Sequence, residues 1–344
     1  MDSDNKIFID FLKKVSPGAP LRTVIDDLIK SELGALIVFD SPELQPLIKG
    51  GFRINCRFSP QRVFELCKMD GAIVVSPDLK RILYANVLLA PDSSISTNET
   101  GTRHMAGERT AKQAQTFVIV VSERRKKTTL CFDHDKYFLR SSDSILRDVA
   151  STLQVLEKQR EIFDDLLSKL NILEMSELVS VSDVCKLIQR AEMILKTSEN
   201  LKKDFTELGK EGNVMNMRYK ELLRGVEKSE EKVFRDYSNL SLQKTKLLLS
   251  NMTLDGLLDL EAIARIVFEK NLDELISTRG FRFLSYLKLN EKEISDIVAK
   301  FQNLGEIFKI KAEDLEPLFK NMAPNIVKDI ENLREQILSG KVLI

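Results

Sequence analysis

Apolar residues near the start of the chain follow a helical spacing. Phe8, Phe11, Leu12 and Val15 recur three and four apart. Ser16-Pro17-Gly18-Ala19-Pro20 breaks the run and Leu21–Leu33 resumes it, which predicts helix over 6–32. Gly34–Phe39 is a short continuous apolar run ended by Asp40-Ser41-Pro42, the pattern of a buried strand. Gly50-Gly51 marks a turn; Ser59 can cap, and Pro60 can open, a helix over Gln61–Met69. Strand-like runs follow at Ala72–Val75, Arg81–Leu89, Phe117–Val121 and Thr128–Phe132, with Tyr137–Arg140 as an added edge strand. Strands flanked by three or four helices predict one α/β domain with a mixed central sheet. Its polar loop Asp92–Gly101 is longer than a simple connection needs, as functional loops often are.

From Ser144 the period settles at that of a helix. Ile145, Val149, Leu153, Leu156, Phe163, Leu166, Leu167 and Leu170 fall on one stripe, which serves equally well as a bundle core or an oligomer contact. Helical patterning continues through 182–209 and 214–235, with a break at Glu207–Gly212. The remainder reads as short helices: Leu258–Glu269, Leu272–Ile276, Gly280–Leu287, Ile294–Leu304, Ile307–Phe308, Asp314–Phe319 and Ile326–Leu338. The expected organisation is an α/β domain over 1–143, an all-α spine over 144–256 and a small all-α domain over 257–344.

Composition narrows the function classes. Lys plus Arg and Asp plus Glu number 52 each, so no global charge draws the chain to nucleic acid or to a membrane surface. Cys56, Cys67, Cys131 and Cys185 show no CxxC spacing, and with two histidines a structural zinc site is not expected. No apolar core follows the first six residues, and no run approaches the roughly 20 apolar residues of a membrane span. A reducing cytoplasm is the expected location.

One segment carries candidate chemistry. In Asn98–Arg109, Gly101 precedes Thr102-Arg103-His104 and opens onto a helical run. A glycine admits a close ligand, a hydroxyl and a guanidinium donate hydrogen bonds, and a helix N-terminus favours anions, together a polyphosphate cradle. By spacing alone, Asp70-Gly71 reads first as an ordinary hairpin turn, and His104 as an ordinary surface or core histidine.

Lys68-Met-Asp-Gly-Ala-Ile-Val-Val75, Tyr84-Ala-Asn-Val87, Glu99-Thr-Gly-Thr-Arg-His104, Glu108-Arg109 and Ala111-Lys-Gln113 stand in one order. In that order they resemble the diadenylate cyclase family of DNA integrity scanning proteins, a resemblance that runs through the whole chain. It implies condensation of two ATP molecules into cyclic di-AMP and two pyrophosphates, across facing protomers of a homo-oligomer, an octamer in the family. Asp70 would bind Mg²⁺ or Mn²⁺ and act with Arg103 and His104 in catalysis. Gly71, Ala72, Leu89, Thr102, Arg103, His104, Ser122 and Arg125 would bind ATP. Leu89 reads equally as a core residue, the run Ser122–Lys127 as a solvated hairpin tip, and His134 as a surface residue.

The chain departs from the family pattern in three places. Met105 and Ala106 stand where the family continues Arg-Thr after its Thr-Arg-His, and Glu123 replaces an arginine beside Ser122. Loss of one charge-assisted phosphate contact costs about 1.5–3 kcal/mol, on the order of tenfold to a hundredfold in rate. The C-terminal segment, a helix-hairpin-helix DNA module in the family and entered here at Thr278–Leu284, has Leu318–Pro324 in place of a Gly-x-Gly turn. Between 273 and 344 it carries 11 Lys/Arg against 12 Asp/Glu, without the basic excess of a duplex reader. The expected function is a diadenylate cyclase of reduced rate linked to DNA-structure sensing. The alternative is an oligomeric scaffold that binds a nucleotide or branched DNA without turnover.

Overall fold

A computed structural model describes residues 2–340. It divides into two compact units, the first built from residues up to Ala150 together with Lys202–Asn216, the second from Ser151–Leu201 and the residues from Met217 on.

The first unit contains α1 (Asp2–Lys14), α2 (Pro20–Lys30), β1 (Ala35–Phe39), β2 (Ile48–Lys49), β3 (Phe52–Arg57), α3 (Pro60–Leu66), β4 (Ala72–Val75), β5 (Arg81–Leu89), α4 (Thr102–Ala114), β6 (Val118–Ser122), β7 (Lys127–Phe132) and β8 (Asp135–Leu139). The sheet order is β2-β5-β4-β1-β6-β7-β8, with β3 paired to β5. The β1–β4 pair is parallel and the other pairs are antiparallel, so the sheet is mixed as the sequence predicts.

The uninterrupted apolar runs follow from cover on both faces. Along β1, Ala35, Ile37 and Phe39 enter a core with Phe11, Leu21, Ile25 and Val63, while Leu36 and Val38 enter a second core with Leu44, Ala111 and Ala114. β4 and β6 alternate in the same way. Ser59 caps α3, its hydroxyl accepting from the Arg62 N–H at 3.3 Å, with Pro60 in the first turn.

Two strands, β2 and β3, escape the sequence reading. They flank the Gly50-Gly51 turn and among the described residues pair only with β5, and Phe52 remains 59% exposed, so no buried face writes an apolar alternation there.

The helical part contains α5 (Ser142–Met175), α6 (Val181–Leu208), α7 (Asn213–Leu223), α8 (Val226–Tyr237), α9 (Leu242–Ser250), α10 (Leu254–Leu258), α11 (Leu260–Val267), α12 (Phe281–Leu284), α13 (Glu291–Phe301), α14 (Leu304–Ile307), α15 (Ala312–Phe319) and α16 (Ala323–Leu338). Ile145, Val149, Leu153, Leu156, Phe163, Leu167 and Leu170 are buried within the chain and Leu166 is half-buried, which makes most of the stripe core. Leu272–Ile276 is not helical. Leu275 forms an antiparallel bridge with Ser180, and Val181 N–H donates to Glu274 O while Ile276 N–H donates to Val179 O, each at 2.9 Å. The spacing of Leu272, Leu275 and Ile276 mimics a helix face, but backbone pairing to the α5–α6 turn holds the segment extended. Among the described residues no helix is long and apolar enough to cross a membrane.

The entry segment Thr278–Leu284 is committed inside the second unit. The Asp236 carboxylate accepts from the N–H groups of Gly280, Phe281 and Arg282 at 2.8, 2.6 and 2.9 Å, and Arg282 is 1% exposed. The hairpin α15–α16 closes without glycine: Lys320 takes φ 47° and ψ −125°. A side chain is strained there by about 1–3 kcal/mol. Lys320→Gly is therefore expected to raise the urea-unfolding free energy by about 1 kcal/mol; an unchanged or lower midpoint contradicts the strain.

Candidate active site

Strand register brings the motif residues to one end of the sheet. Leu36 pairs with Ala72 and Ala35 with Val121, so the residues leading into β4 (Asp70, Gly71) and β1 (Gly34) lie beside Ser122, which closes β6. Adjacent strands are about 5 Å apart, which places Asp70 and Ser122 roughly 10 Å apart on either side of β1. Ala72 pairs with Val87 and Ile48 with Leu89, so the end of β5 reaches the same edge.

Helix α4 packs on a face of the sheet, with its N-terminal turn at this end. Gly107 lets it approach, because a Cβ there would come within 2.7 Å of Val120 Cγ2. Its N-cap is Gly101 in extended conformation, with no side chain capping the first-turn N–H groups. Thr102, Arg103 and His104 form that first turn. With Glu99, Thr100, Gly101 and Val121–Arg125 they line a cavity of about 350 Å³. Uncapped N–H groups, a hydroxyl and several guanidinium groups around one cavity suit a phosphate chain.

The predicted site residues divide into groups. Thr102, Arg103, His104, Ser122 and Arg125 meet at the cavity. Asp70 is exposed beside it and makes no side-chain hydrogen bond or ion pair among the described residues. Ala72 and Leu89 are 1% and 6% exposed in the core beneath, so both belong to the packing. Gly71 adopts φ 92°, and a Cβ on it would come within 2.8 Å of the Asn86 backbone, so the close approach of β5 already demands glycine. Ser122 Oγ accepts from Arg125 N–H at 3.2 Å, making the basic run a hairpin tip and a cavity wall together. His134 is a surface residue, its side chain 79% exposed.

Charge in the cavity is mixed. Arg103 makes no side-chain hydrogen bond or ion pair among the described residues, whereas Arg125 lies 3.8 Å from Glu99. Burial lowers the His104 pKa, helped by Arg125, Arg103 and Lys136 against the pull of Glu99. The imidazole is thus neutral at pH 7 and can donate from one nitrogen while accepting at the other.

The supporting network is absent from the sequence reading. Glu108 accepts from Lys112 at 2.8 Å, Lys136 at 2.6 Å and Thr97 at 2.5 Å. Lys136 also bridges to Glu99 at 3.0 Å. Arg109 Nε donates to Ile95 O, Lys112 to Ser96 O, and the Asp92 N–H to Gln113 Oε1, each at 2.8 Å. The Glu108-Arg109 and Lys112-Gln113 pairs thus staple the 92–101 loop onto α4. The i,i+4 spacing of Glu108 and Lys112 signals one ion pair; Lys136 arrives from β8 and leaves no local trace.

Burial alone would raise the Glu108 pKa, but hydrogen bonds from Lys112, Lys136 and Thr97 prevail and hold it at about 2. The folded value lies below the ordinary 4.5, so the stabilisation is complete above that pH and is lost as pH falls through 2. Glu108→Gln is expected to destabilise by about 1.5–3 kcal/mol at pH 7, a deficit that shrinks toward pH 2. Urea midpoints of both proteins across that range check it, and a pH-independent deficit counts against the staple.

Residues 22–135 match the nucleotide-binding domain of the DisA bacterial checkpoint controller, and residues 139–273 match that controller's linker region. The chain is 37% identical to the DNA integrity scanning protein DisA of Clostridium botulinum (strain Loch Maree / Type A3), over 98% of this chain and 99% of that protein. It is 38% identical to the protein of that name from Symbiobacterium thermophilum over 91% of each chain. With that of Clostridioides difficile it shares 36% identity over 91% of this chain and 90% of the other. A solved structure of DacA from Staphylococcus aureus is 24% identical, with a TM-score of 0.31, over 43% of this chain and 97% of that one.

Proposed function

The chain belongs to the family of DNA integrity scanning proteins, and from that premise we propose that it is a diadenylate cyclase joining two ATP molecules into cyclic di-AMP. The observation that carries the assignment is the meeting of Thr102, Arg103, His104 and Ser122 at one cavity, with Arg103 unpaired and Asp70 at the neighbouring strand end. Each ribose 3′-oxygen bonds to the α-phosphorus of the other nucleotide, the bond to pyrophosphate breaks, and the hydroxyl proton leaves. Such transfer asks the protein mainly for positioning and charge neutralisation. Thr102, Arg103 and Ser122 hold phosphate oxygens, the neutral His104 imidazole donates one further hydrogen bond, and Asp70 draws the 3′-hydroxyl proton.

Asp70 also fits the metal. Its exposed carboxylate, without another partner among the described residues, is the oxygen-ligand type that Mg²⁺ or Mn²⁺ takes, and Asp70 would hold the ion there. When bound, the ion offsets charge on the phosphate oxygens. Each protomer supplies one ATP, so two cyclase domains face each other. The Ile145–Leu170 stripe is internal, so the contacts of that homo-oligomer, an octamer in our reading, come from other surfaces.

Incubation with ATP and Mn²⁺ tests the assignment, with cyclic di-AMP identified by mass. Met105 is half-buried one residue past the cavity's His104, and Met105→Arg is expected to raise the rate about tenfold or more by restoring a charge-assisted contact. Met105, Ala106 and Glu123 favour a second reading, a nucleotide- or branched-DNA-binding scaffold without turnover. ATP bound without product, in both the natural protein and Met105→Arg, supports that scaffold.

A further inference from the structure

Arg103 reaches its place in the cavity by crossing the start of β1. A Cβ built on Gly34 would overlap its Nη1 and stand 3.2 Å from its Cζ, and its remaining near neighbour is the Val121 carbonyl oxygen at 3.4 Å. The guanidinium therefore lies in the space a side chain at 34 would fill, in the row Asp70–Gly34–Ser122. Nothing else there requires glycine. Gly34 is not among the glycines with positive φ, so its backbone suits any L-residue, and 3.4 Å from the carbonyl is ordinary contact.

We infer that Gly34 is a positioning residue for the nucleotidyl transfer: its bare Cα seats the Arg103 guanidinium against the strand edge, aimed at the substrate phosphates. This rests on the cyclase reading of the cavity. A methyl group at 34 displaces the end of a flexible side chain and leaves the fold intact, so activity and stability separate. Gly34 and Arg103 then act as one unit, and their substitutions do not add.

The test is a double-substitution cycle with Gly34→Ala and Arg103→Ala, reading cyclic di-AMP formation, ATP affinity and melting temperature. Gly34→Ala is expected to lower kcat/KM, or ATP affinity if turnover is too slow to read, about tenfold or more, with the melting temperature unchanged or higher. In the Arg103→Ala background the same change is expected to shift either quantity less than twofold. Equal losses in both backgrounds, full activity in Gly34→Ala beside an impaired Arg103→Ala, or an activity loss tracking a fall in melting temperature each overturn the inference. Full activity and full ATP affinity in Arg103→Ala instead overturn the cyclase reading of the cavity, and the inference with it.

Discussion

Asp70→Asn is expected to lower cyclic di-AMP formation by about a hundredfold or more without unfolding the protein. Asn keeps the shape of the side chain but removes the charge that a divalent cation needs, and it cannot accept a proton near neutral pH. General acid–base contributions alone are on the order of 10²–10⁴. The fold has no stake in this carboxylate, because Asp70 is exposed and makes no side-chain hydrogen bond or ion pair among the described residues. Substitutions at such positions change stability by about 0.5 kcal/mol at most. Chromatography of the reaction mixture and a urea titration of the same preparation check both halves. Undiminished product would remove Asp70 from the mechanism; lost product together with a lower unfolding midpoint would assign it to the fold.

The second large effect concerns stability. Arg282, 1% exposed, is paired with Glu174, itself 3% exposed, and donates to Asn171 Oδ1. Tyr237 donates its hydroxyl to Glu174 Oε1 at 2.5 Å and lies 2.8 Å from Thr278 Oγ1. Burial pushes Asp236 up to about 7, with Glu174 adding to the rise and Arg282 opposing it. Arg282→Met strands a carboxylate in the interior, and breaking one side of a buried pair costs about 3–5 kcal/mol. The double replacement Arg282→Met with Glu174→Leu removes both charges and is expected to recover most of that loss. Denaturant titration of the single and double variants decides it; a single variant within about 1 kcal/mol of the natural protein would mean that the cluster is not a buried ion pair in solution.

This cluster also changes how the C-terminal segment is read. Resemblance marks Thr278–Leu284 as the entry to a DNA-binding module, yet its N–H groups are taken by Asp236 and its second arginine by Glu174. At the α15–α16 turn Lys320 takes a conformation that glycine adopts at lower cost.

Legibility in the sequence followed the range of the interaction. β1, β4 and β6 are evident because each is covered on both faces and must be apolar throughout, and α3 because Ser59 and Pro60 write its first turn locally. β2 and β3, paired on one side and left half exposed, carry no such imprint. At the cavity, Thr102-Arg103-His104 and Ser122 were recognisable from motif order. The staples Lys136–Glu108 and Lys136–Glu99 were not, because a charge 28 or 37 residues away in sequence has no periodic signature.

By itself the chain determined the type of its two-face-covered strands and long helices, the α/β-to-helical transition near Ser144 and the residue types that a phosphate site needs, since each rests on neighbours within a few residues. Tertiary structure alone decided that the Ile145–Leu170 stripe is core, that Leu89 belongs to packing and that Gly34 makes room for Arg103. Those outcomes depend on which strands lie side by side and which faces are covered, and such choices are settled by packing over the whole unit.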